Sequence, residues 1–184
     1  MENIITKSKF KILKNVHNFI SKINDVLTPK SNIKYLTGDA TNPIDTGGMR
    51  IIAHVCNDKG GWGAGFVLAL SKKWSKPEQV YRSCPVPNLI LGNVQYIRVE
   101  DDIIVANMIA QHGYRRDNNG KPPLRYGALT DTLRKVNETA IKHNATLHMP
   151  RIGAGLAGGD WDVIEQLILE NVQVPVFIYD LPKK

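Results

Sequence analysis

Two glycine-rich segments carry the residue types that could hold phosphate groups. The first glycine loop (residues 57–65, NDKGGWGAG) lies between IIAHV and FVLALSKKW, and the second glycine loop (residues 153–159, GAGLAGG) lies between LHMP and WDVIEQLIL. Glycines let backbone N–H groups approach an anion closely, and the start of a following helix adds a positive partial charge. Either loop alone is as readily a tight turn or a site of close helix–sheet packing. Together they predict a site for two linked phosphates.

The spacing within the second glycine loop admits a different interpretation, a nicotinamide dinucleotide site. Gly153-x-Gly155-x-x-Gly158 matches the dinucleotide fingerprint, and Asp180 follows Gly158 by 22 residues, near the position of a ribose-binding acid. Only four residues follow Asp180, however, whereas a dinucleotide fold continues with further strands. This interpretation also leaves the first glycine loop without a role. We therefore regard it as the weaker one.

The elements that must position these loops alternate along the chain from Ile33 onward. Apolar runs predict strands at 33–37, 50–55, 92–100, 103–109, 146–149 and 174–179, with Asp101-Asp102 as a hairpin turn. Apolar residues spaced by three and four predict helices around 67–74, 129–140 and 161–168. Strand–helix alternation predicts the α/β class, with a mixed, largely parallel sheet covered on both faces as three α/β/α layers.

Residues 1–30 read as an N-terminal helical extension, and residues 31–184 as the main domain. Ile12, Val16, Ile20 and Ile23 fall on one helical face, and Thr28-Pro29 ends the pattern because proline disfavours a helical residue before it. The apolar face is modest and has no tryptophan. We therefore expect a helix packed on the domain rather than a membrane-surface anchor.

Composition and net charge narrow the class of protein and the kinds of partner that the chain could bind. A hydrophobic content of 42% with 22% charged residues is ordinary for a globular chain, and no apolar run approaches the length of a membrane span. Two cysteines and the absence of a secretory pattern predict a cytoplasmic protein. The net charge of +7 fits an anionic partner or simply a basic surface, and the segment RRDNNGKPP at 115–123 reads as an exposed loop.

Four short segments together resemble the macrodomain family, whose members bind ADP-ribose. They are GDAT at 38–41, AHVCN at 53–57, GAG at 63–65 and IGAGL at 152–156. The resemblance extends over residues 33–181. HVCNDKGGWGAGFVLALSKKW together with MPRIGAGL is most similar to the branch that holds the ADP-ribose-1″-phosphate phosphatases and the terminal ADP-ribose protein glycohydrolases. It implies a macrodomain fold.

The resemblance also implies a set of substrate-binding residues. Asp39 would accept a hydrogen bond from the adenine amino group, with the Ala40 backbone beside it, and Asn57 would hold the distal ribose. Outside this context Asp39 would be a turn or cap residue. The diphosphate would lie between residues of the two glycine loops, namely Gly63, Ala64, Gly65 and Phe66 on one side and Gly153, Ala154, Gly155, Leu156 and Ala157 on the other.

There are two candidate catalytic residues, His54 from the same resemblance and Asp160 from its position just past the second glycine loop. His54 stands where phosphatase-like members carry a histidine, and an imidazole that titrates near neutral pH could move a proton during attack on a phosphate or an anomeric carbon. The alternative is a buried histidine held by backbone at a strand end. Asp160 could orient a water molecule, or it could be the N-cap of the helix that starts at Trp161.

The chain departs from the family pattern at two positions. Glycohydrolases that form a lysine adduct carry a lysine after the fourth strand and an aspartate after the Gly-Leu of the second loop, where this chain has Gln111 and Ala157. The lysine-adduct mechanism is therefore in doubt, and Gln111 becomes a candidate substrate contact. Cys56 could be a nucleophile, but small buried cysteines at strand ends are far commoner.

The sequence therefore predicts an ADP-ribose-binding macrodomain that hydrolyses at the distal ribose, releasing phosphate from ADP-ribose-1″-phosphate or ADP-ribose from a modified target. A reader module that binds without turnover is the main alternative, and a nucleic-acid-binding domain driven by the basic loop is a weaker one. Metal-binding and phosphate-loop motifs such as HExxH, CxxC and GxxxxGK[ST] do not occur. We accordingly expect no metal, no cofactor and no membrane partner.

Overall fold

The structure, a computed structural model, describes Val16 and residues 31–182. The chain divides into two units after Ser31, and the second unit carries all of the elements below. The expected helical extension over residues 1–30 lies outside the described residues, apart from Val16, which is helical and exposed. Among the described residues, none of the helices combines the length and the hydropathy that a transmembrane span requires.

Six strands form one mixed sheet. They are β1 (Ile33–Thr37), β2 (Arg50–Asn57), β3 (Val94–Glu100), β4 (Ile103–Gln111), β5 (Thr146–Pro150) and β6 (Val176–Asp180). The order across the sheet is β1-β6-β5-β2-β4-β3, and every neighbouring pair is parallel except β3 and β4. The antiparallel pair is joined by the turn at Asp101 and Asp102, as the sequence predicts. The largely parallel sheet is thus confirmed.

Four helices of eight or more residues cover the two faces of this sheet. They are α1 (Phe66–Lys73), α2 (Lys76–Ser83), α3 (Tyr126–Lys142) and α4 (Trp161–Asn171), and a short 3₁₀ turn (Val86–Asn88) follows α2. Leu129, Leu133 and Ile168 of α3 and α4 are buried in one apolar cluster with strand residues. Leu70 and Tyr81 of α1 and α2 are buried in another, with Ile52 and Val105. The expected three-layer α/β/α arrangement is confirmed.

The central strands come from continuous apolar runs, because helices cover both faces of the sheet at these strands. Eight of the nine residues of β4 are buried, and six of the eight residues of β2 are. Continuous burial explains why these runs show no alternation of polar and apolar residues. The register between them pairs Ile51 with Ile104 and His54 with Asn107. A polar pair thus lies within an otherwise apolar centre.

The sequence pattern did not predict α2. Its segment KPEQVYRS buries only Pro77 and Tyr81, so it lacks an apolar stripe of the usual width. The available signal was at its start, where Pro77 and Glu78 follow Ser75, a pattern typical of a helix N-terminus. This helix matters for the site because Tyr81 and Arg82 both reach the first glycine loop.

Five of the six strands end at the same edge of the sheet, because they run parallel. Both glycine loops leave from this edge, the first after β2 and the second after β5. Strands β2 and β5 are neighbours, with Ile51 opposite Leu147. The sheet therefore brings the two loops side by side at the edge where α/β proteins bind ligands.

Candidate functional site

A cleft of about 1010 Å³ crosses the carboxyl edge of the sheet, and both glycine loops line it. One end, the β1 end, is lined by the turn at residues 38–40 and by Tyr179 and Leu181. The opposite end, the β4 end, is lined by Gln111, Tyr114 and Arg82. The volume matches that of a site for a ligand of nucleotide size. The two glycine loops, which follow β2 and β5, lie between these two ends.

Side chains shape the first glycine loop. The Oδ1 atom of Asn57 accepts hydrogen bonds from the backbone N–H groups of Lys59 (2.9 Å) and Gly61 (3.0 Å) and from the Tyr81 hydroxyl (3.0 Å). Its Nδ2 atom donates to the Gly61 carbonyl at 2.7 Å. Asn57 is 6% exposed. Its amide therefore folds the loop, and one Nδ2 hydrogen remains for any ligand.

Backbone hydrogen bonds and apolar packing shape the second glycine loop. The Gly159 N–H donates to the Gly153 carbonyl and the Gly158 N–H to the Gly155 carbonyl, each at 2.9 Å. A Cβ on Gly159 would stand 2.4 Å from the Leu124 side chain and 2.9 Å from the Gly153 carbonyl oxygen. Gly153 has a φ of +71°, a conformation that L side chains rarely adopt. These glycines are thus required by the fold itself.

Gly63 and Gly155 differ from their neighbours, because neither packing nor backbone conformation requires a glycine there. A Cβ at either position would meet nothing within 4 Å, and neither residue has a positive φ. Both residues line the cleft, one from each loop. The space in front of them is therefore open to a ligand that needs close contact with backbone.

The two loops lead into helices with different first turns. Helix α1 follows Gly65, which supplies no side-chain cap. The Leu68 N–H donates to the Gly65 carbonyl at 3.1 Å, and the Phe66 and Val67 N–H groups make no hydrogen bond within the described residues. Helix α4 follows Asp160, whose carboxylate accepts a hydrogen bond from the Asp162 N–H at 2.9 Å. Our expectation that both helix N-termini would attract an anion thus applies to α1. At α4 the Asp160 carboxylate already accepts a hydrogen bond from the first turn of the helix.

At the β1 end, Asp39 holds the turn that follows β1. Its Oδ1 accepts a hydrogen bond from the Thr41 N–H at 2.8 Å, and its side chain makes no other hydrogen bond within the described residues. Asp39 is exposed and lines the cleft, whereas Ala40 beside it is 2% exposed. One oxygen of the Asp39 carboxylate is therefore available to a donor in the cleft.

At the β4 end, Gln111 closes β4 and its backbone pairs with Leu124. Its side-chain amide makes no hydrogen bond within the described residues and it is half-buried against the cleft. Arg82 donates to the Trp62 carbonyl at 2.7 Å and to Glu78 at 2.8 Å. These side chains give this end of the cleft donors and one cation.

His54 lies in the wall of the cleft and is almost fully buried, with 2% exposure. Its Nε2 is 2.7 Å from the Asn107 Oδ1, and the Asn107 Nδ2 donates to the Pro77 carbonyl at 3.2 Å. Trp62 packs edge-on against the imidazole, with ring centroids 5.4 Å apart. Burial lowers the pKa of His54 to about 4, against the smaller raising effect of the Asn107 hydrogen bond. His54 is therefore neutral at neutral pH.

Cys56 lies in the same wall of the cleft, but its surroundings do not activate the thiol as a nucleophile. Burial raises the pKa of its thiol well above the ordinary value, so the thiol stays protonated. Its Sγ lies 3.8 Å from the Nδ1 of His54. Both Cys56 and Cys84 are free thiols.

The structure brings nearly all of the expected site residues together. The following line the cleft: Asp39, Ala40, His54, Asn57, Gly63, Ala64, Gly65, Phe66, Gln111, Gly153, Gly155, Leu156 and Ala157. Ala154 and Asp160 do not. Asp160 instead caps α4, and its own N–H is bound by the Tyr126 hydroxyl at 2.9 Å.

Sequence reasoning did not identify four residues that shape the site, Tyr81, Arg82, Asn107 and Tyr114. Asn107 left a signal, since it is a lone polar residue within the apolar run IIVANMIA. The sequence gave little indication of a role for Tyr81 and Arg82, because their helix was not predicted. Among the described residues, no group of three or more His, Cys, Asp or Glu side chains is placed to hold a metal ion.

Comparisons with known proteins agree with this architecture, although no family model matches the chain. A solved structure of a protein of unknown function from Bacteroides thetaiotaomicron is 50% identical, with a TM-score of 0.78, over 81% of this chain and 98% of that one. The structure of a macrodomain protein from Streptomyces coelicolor is 44% identical, with a TM-score of 0.69, over 80% of this chain and 98% of that one.

Curated relatives are more distant or much longer. Chromodomain-helicase-DNA-binding protein 1-like from Mus musculus is 30% identical over 83% of this chain, but the match spans only 18% of that relative's length. ADP-ribose 1″-phosphate phosphatase from Candida albicans is 26% identical over 79% of this chain and 99% of its own length. The near-complete match to the Streptomyces coelicolor protein at 44% identity is the decisive one. The chain belongs to the macrodomain family.

Proposed function

We propose that the chain binds ADP-ribose in the cleft and hydrolyses derivatives of it at the distal ribose. The observation that carries the binding proposal is the pair of open glycines, Gly63 and Gly155, which face the same cleft from two neighbouring strands. Neither glycine serves packing or an unusual φ, so a ligand pressed against the backbone is the remaining reason for a missing side chain. A diphosphate between the loops meets that requirement.

Charge in the cleft supports an anionic ligand at its middle. Of the described residues that line it, Asp39 is the single carboxylate and it lies at the β1 end. The uncapped first turn of α1 directs N–H groups toward the loop junction, where they would stabilise a phosphate. The middle of the cleft therefore offers donors and no competing anion.

The orientation of the ligand follows from the two ends. Asp39 keeps one carboxylate oxygen for the adenine amino group, so we place adenine at the β1 end. The diphosphate then lies between Gly63 and Gly155, and the distal ribose reaches the β4 end beside Gln111 and His54. The second Nδ2 hydrogen of Asn57 can serve that ribose.

For hydrolysis we assign proton transfer to His54. A neutral imidazole can take a proton from an attacking water. With ADP-ribose-1″-phosphate, the water oxygen would bond to phosphorus while the P–O1″ bond breaks, and the imidazolium would return the proton to O1″, so that phosphate and ADP-ribose are released. With a modified target, the water oxygen would bond to C1″ while the bond from C1″ to the target oxygen breaks, and the proton would pass to that oxygen. The relative named ADP-ribose 1″-phosphate phosphatase supports the first of these substrates. Asp160 caps α4 outside the cleft lining, so we give it no part in the chemistry.

A reader module that binds without turnover is the second candidate, and one observation favours it. One nitrogen of His54 is already bound to Asn107, and burial holds the pKa of His54 at about 4, far below that of a base poised for neutral pH. Gln111 and Ala157 also stand where lysine-adduct enzymes carry Lys and Asp.

Two measurements test these proposals in sequence. Calorimetric titration with ADP-ribose should show an affinity of about micromolar, with NAD and AMP clearly weaker. Tight NAD binding with weak ADP-ribose binding would instead support the dinucleotide interpretation. Incubation with ADP-ribose-1″-phosphate should then release phosphate, and the variant His54→Gln should release much less while binding ADP-ribose as before. Absence of phosphate release in the wild type, with ADP-ribose bound, would exclude the phosphatase reaction. If ADP-ribose were also not released from a modified target, the chain would be a reader.

A further inference from the structure

The segment that follows β4, His112 to Tyr114, is fixed to the first glycine loop by contacts that the proposed function does not use. The Asp58 carboxylate accepts a hydrogen bond from the Gly113 N–H at 3.0 Å, and its other oxygen is 2.6 Å from the His112 Nδ1. The Tyr114 hydroxyl donates to the Lys59 carbonyl at 2.9 Å. We name these three contacts the distal clamp. It joins the first glycine loop to the wall of the cleft at the β4 end.

Asp58 is the side chain that carries most of the distal clamp. It is 13% exposed, and both of its oxygens are engaged. Burial raises the pKa of Asp58, but the hydrogen bonds from Gly113 and His112, with a smaller electrostatic contribution, outweigh burial and hold the pKa below its ordinary value. The Asp58 N–H also donates to the Gln111 carbonyl at 2.9 Å. The carboxylate is therefore ionised at neutral pH, and the clamp holds there.

The clamp places one edge of the Tyr114 ring against Gly61. A Cβ on Gly61 would collide with the Tyr114 Cε1 and stand 2.9 Å from its Cδ1, and the three atoms nearest to it all belong to Tyr114. Gly61 has no positive φ that would require a glycine. Its N–H and its carbonyl are both bound by the Asn57 amide, at 3.0 and 2.7 Å, so its position is fixed. Gly61 therefore lacks a side chain because the Tyr114 ring occupies that space.

The Tyr114 ring lies at the end of the cleft where the proposed function places the distal ribose. Tyr114 and Gln111 line the cleft at this end, and Tyr114 is 58% exposed. Asp39, which we assign to adenine, lines the opposite end. In that orientation a ligand that stops at the diphosphate does not reach the ring, whereas a ligand that carries the distal ribose contacts it.

We propose that Tyr114, placed against Gly61 and held by the distal clamp, is a specificity-determining residue that makes the cleft select ADP-ribose over ADP. This inference rests on the proposed function, because that function places the distal ribose at the β4 end. The ring supplies an apolar surface for the sugar, and aromatic side chains are common walls of small-molecule sites. Since the clamp fixes the ring before the ligand arrives, contact with the sugar costs little side-chain freedom.

Calorimetric titration of the full chain with ADP-ribose and with ADP tests the inference, because the two ligands share adenosine and diphosphate and differ in the distal ribose. The wild type should bind ADP-ribose at least about tenfold more tightly than ADP. Tyr114→Ala should reduce this preference about five- to tenfold by weakening ADP-ribose binding alone. Tyr114→Phe should retain most of the preference, because the ring remains.

Release of the clamp should have a smaller effect in the same direction. Asp58→Ala frees His112 and Gly113 from the first glycine loop, so the preference for ADP-ribose should fall about threefold as the ring loses part of its support. The matched control is Asp45→Ala. Asp45 likewise accepts a loop N–H, that of Gly47, at 2.8 Å, but it does not line the cleft, so this variant should keep the preference.

Gly61→Ala displaces the ring without altering Tyr114 itself. The added Cβ meets the ring, so the preference for ADP-ribose should fall as far as in Tyr114→Ala. In the Tyr114→Ala background the same change should have no further effect, because no ring is left to displace. The matched control is Gly127→Ala, whose Cβ would meet nothing within 4 Å and which does not line the cleft. It should leave both affinities unchanged.

An equal loss of ADP-ribose and ADP affinity in Tyr114→Ala, or no loss of either, would overturn the inference and leave the proposed function intact. A wild type that binds ADP as tightly as ADP-ribose would do the same. Additive effects of Gly61→Ala and Tyr114→Ala would also contradict the inference, because the glycine would then not serve the ring. Failure of the wild type to bind ADP-ribose would overturn the proposed function instead.

Discussion

The two glycine loops look alike in the sequence and are built in opposite ways. The first is held open by the side chains of Asn57 and Tyr81, which form hydrogen bonds with its backbone. The second is held by its own backbone hydrogen bonds and by packing of Gly159 and Gly153 against Leu124. In each loop, the glycine that faces open space is a different one from those that the fold requires. A glycine pattern therefore combines structural and ligand-facing positions.

The helices that follow sharpen the difference between the loops. An uncapped α1 leaves N–H groups toward the cleft, whereas α4 is capped by Asp160. We infer that the first loop stabilises phosphate charge and that the second forms a close, rigid wall against it. Variants that alter one loop at a time can test this division of labour.

The largest effect should come from placing a carboxylate at either open glycine. Gly155→Glu and Gly63→Glu should each weaken ADP-ribose binding at least about 1000-fold, or about 4 kcal/mol, because the carboxylate would occupy and repel the phosphate position. Thermal stability should change little, since both positions open onto empty space. Calorimetry measures the affinity. The matched control is Gly127→Glu, an equally open glycine outside the cleft, which should bind normally. Unchanged affinity in both loop variants would mean that the site lies elsewhere.

Acid should destabilise the strands beneath both loops. Burial lowers the pKa of His54 on β2 and of His148 on β5 to about 4, from 6.5. The unfolded chain therefore takes up protons at a higher pH than the folded one, and stability falls as pH drops from about 6.5 to about 4. The loss approaches about 3 kcal/mol per histidine.

Urea unfolding at a series of pH values measures this loss. His54→Gln and His148→Gln should each remove about half of the acid dependence, because each variant retains one of the two buried imidazoles. If both variants keep the full dependence, the acid sensitivity arises outside the two strands that carry the loops.

Removing the amide of Asn57 should damage the first loop alone. Asn57→Ala leaves the Lys59 and Gly61 N–H groups without their acceptor, whereas the Tyr81 hydroxyl keeps its 2.6 Å bond to the carbonyl of residue 57, so we expect a loss of about 2 kcal/mol in the free energy of unfolding. ADP-ribose affinity should fall with it. Chemical denaturation checks the first quantity and calorimetry the second. A variant that is destabilised but binds normally would show that the loop keeps its shape without the amide.

The smallest effect is expected at Asp160. Asp160→Ala should cost about 1 kcal/mol of stability through the lost helix cap. Asp160→Asn should restore that stability because asparagine caps equally well, and phosphate release from ADP-ribose-1″-phosphate should match the wild type in both. A drop in phosphate release in Asp160→Asn, at unchanged stability, would instead assign Asp160 a catalytic role.

Much of the fold was accessible from the sequence because its signals are local. The strand runs, the helical spacings and the Asp101-Asp102 turn each depend on residues a few positions apart, and the structure confirms them. Helix α2 was not predicted, because it buries only Pro77 and Tyr81 and so has too few apolar residues to form a recognisable apolar face. Strand ends differ by about two residues, as where β4 continues to Gln111, since the last pairings depend on the neighbouring strand.

Most of the residues that line the cleft could also be predicted from the sequence. The hydrogen-bond partners and the pKa shifts of their side chains could not. Neither the pattern HVCN nor its neighbours show that Asn107, 53 positions away, binds His54, or that Tyr81 and the loop backbone engage the Asn57 amide. The burial that lowers the pKa of His54 depends on aromatic rings contributed by Trp62 and Phe66. Such partners are set by the packing of distant segments.

The sequence by itself determined an α/β chain with two glycine loops at the ends of strands, because periodicity and backbone freedom are properties of short segments. The tertiary structure alone decided which glycines face open space and which are required by packing, since that depends on Leu124, Ile164 and Tyr114 from other segments. It also decided that Asp160 caps a helix outside the cleft lining while Arg151 pairs with Asp180 at the β1 end. Charge compensation is a matter of distances in space, which spacing along a chain does not encode.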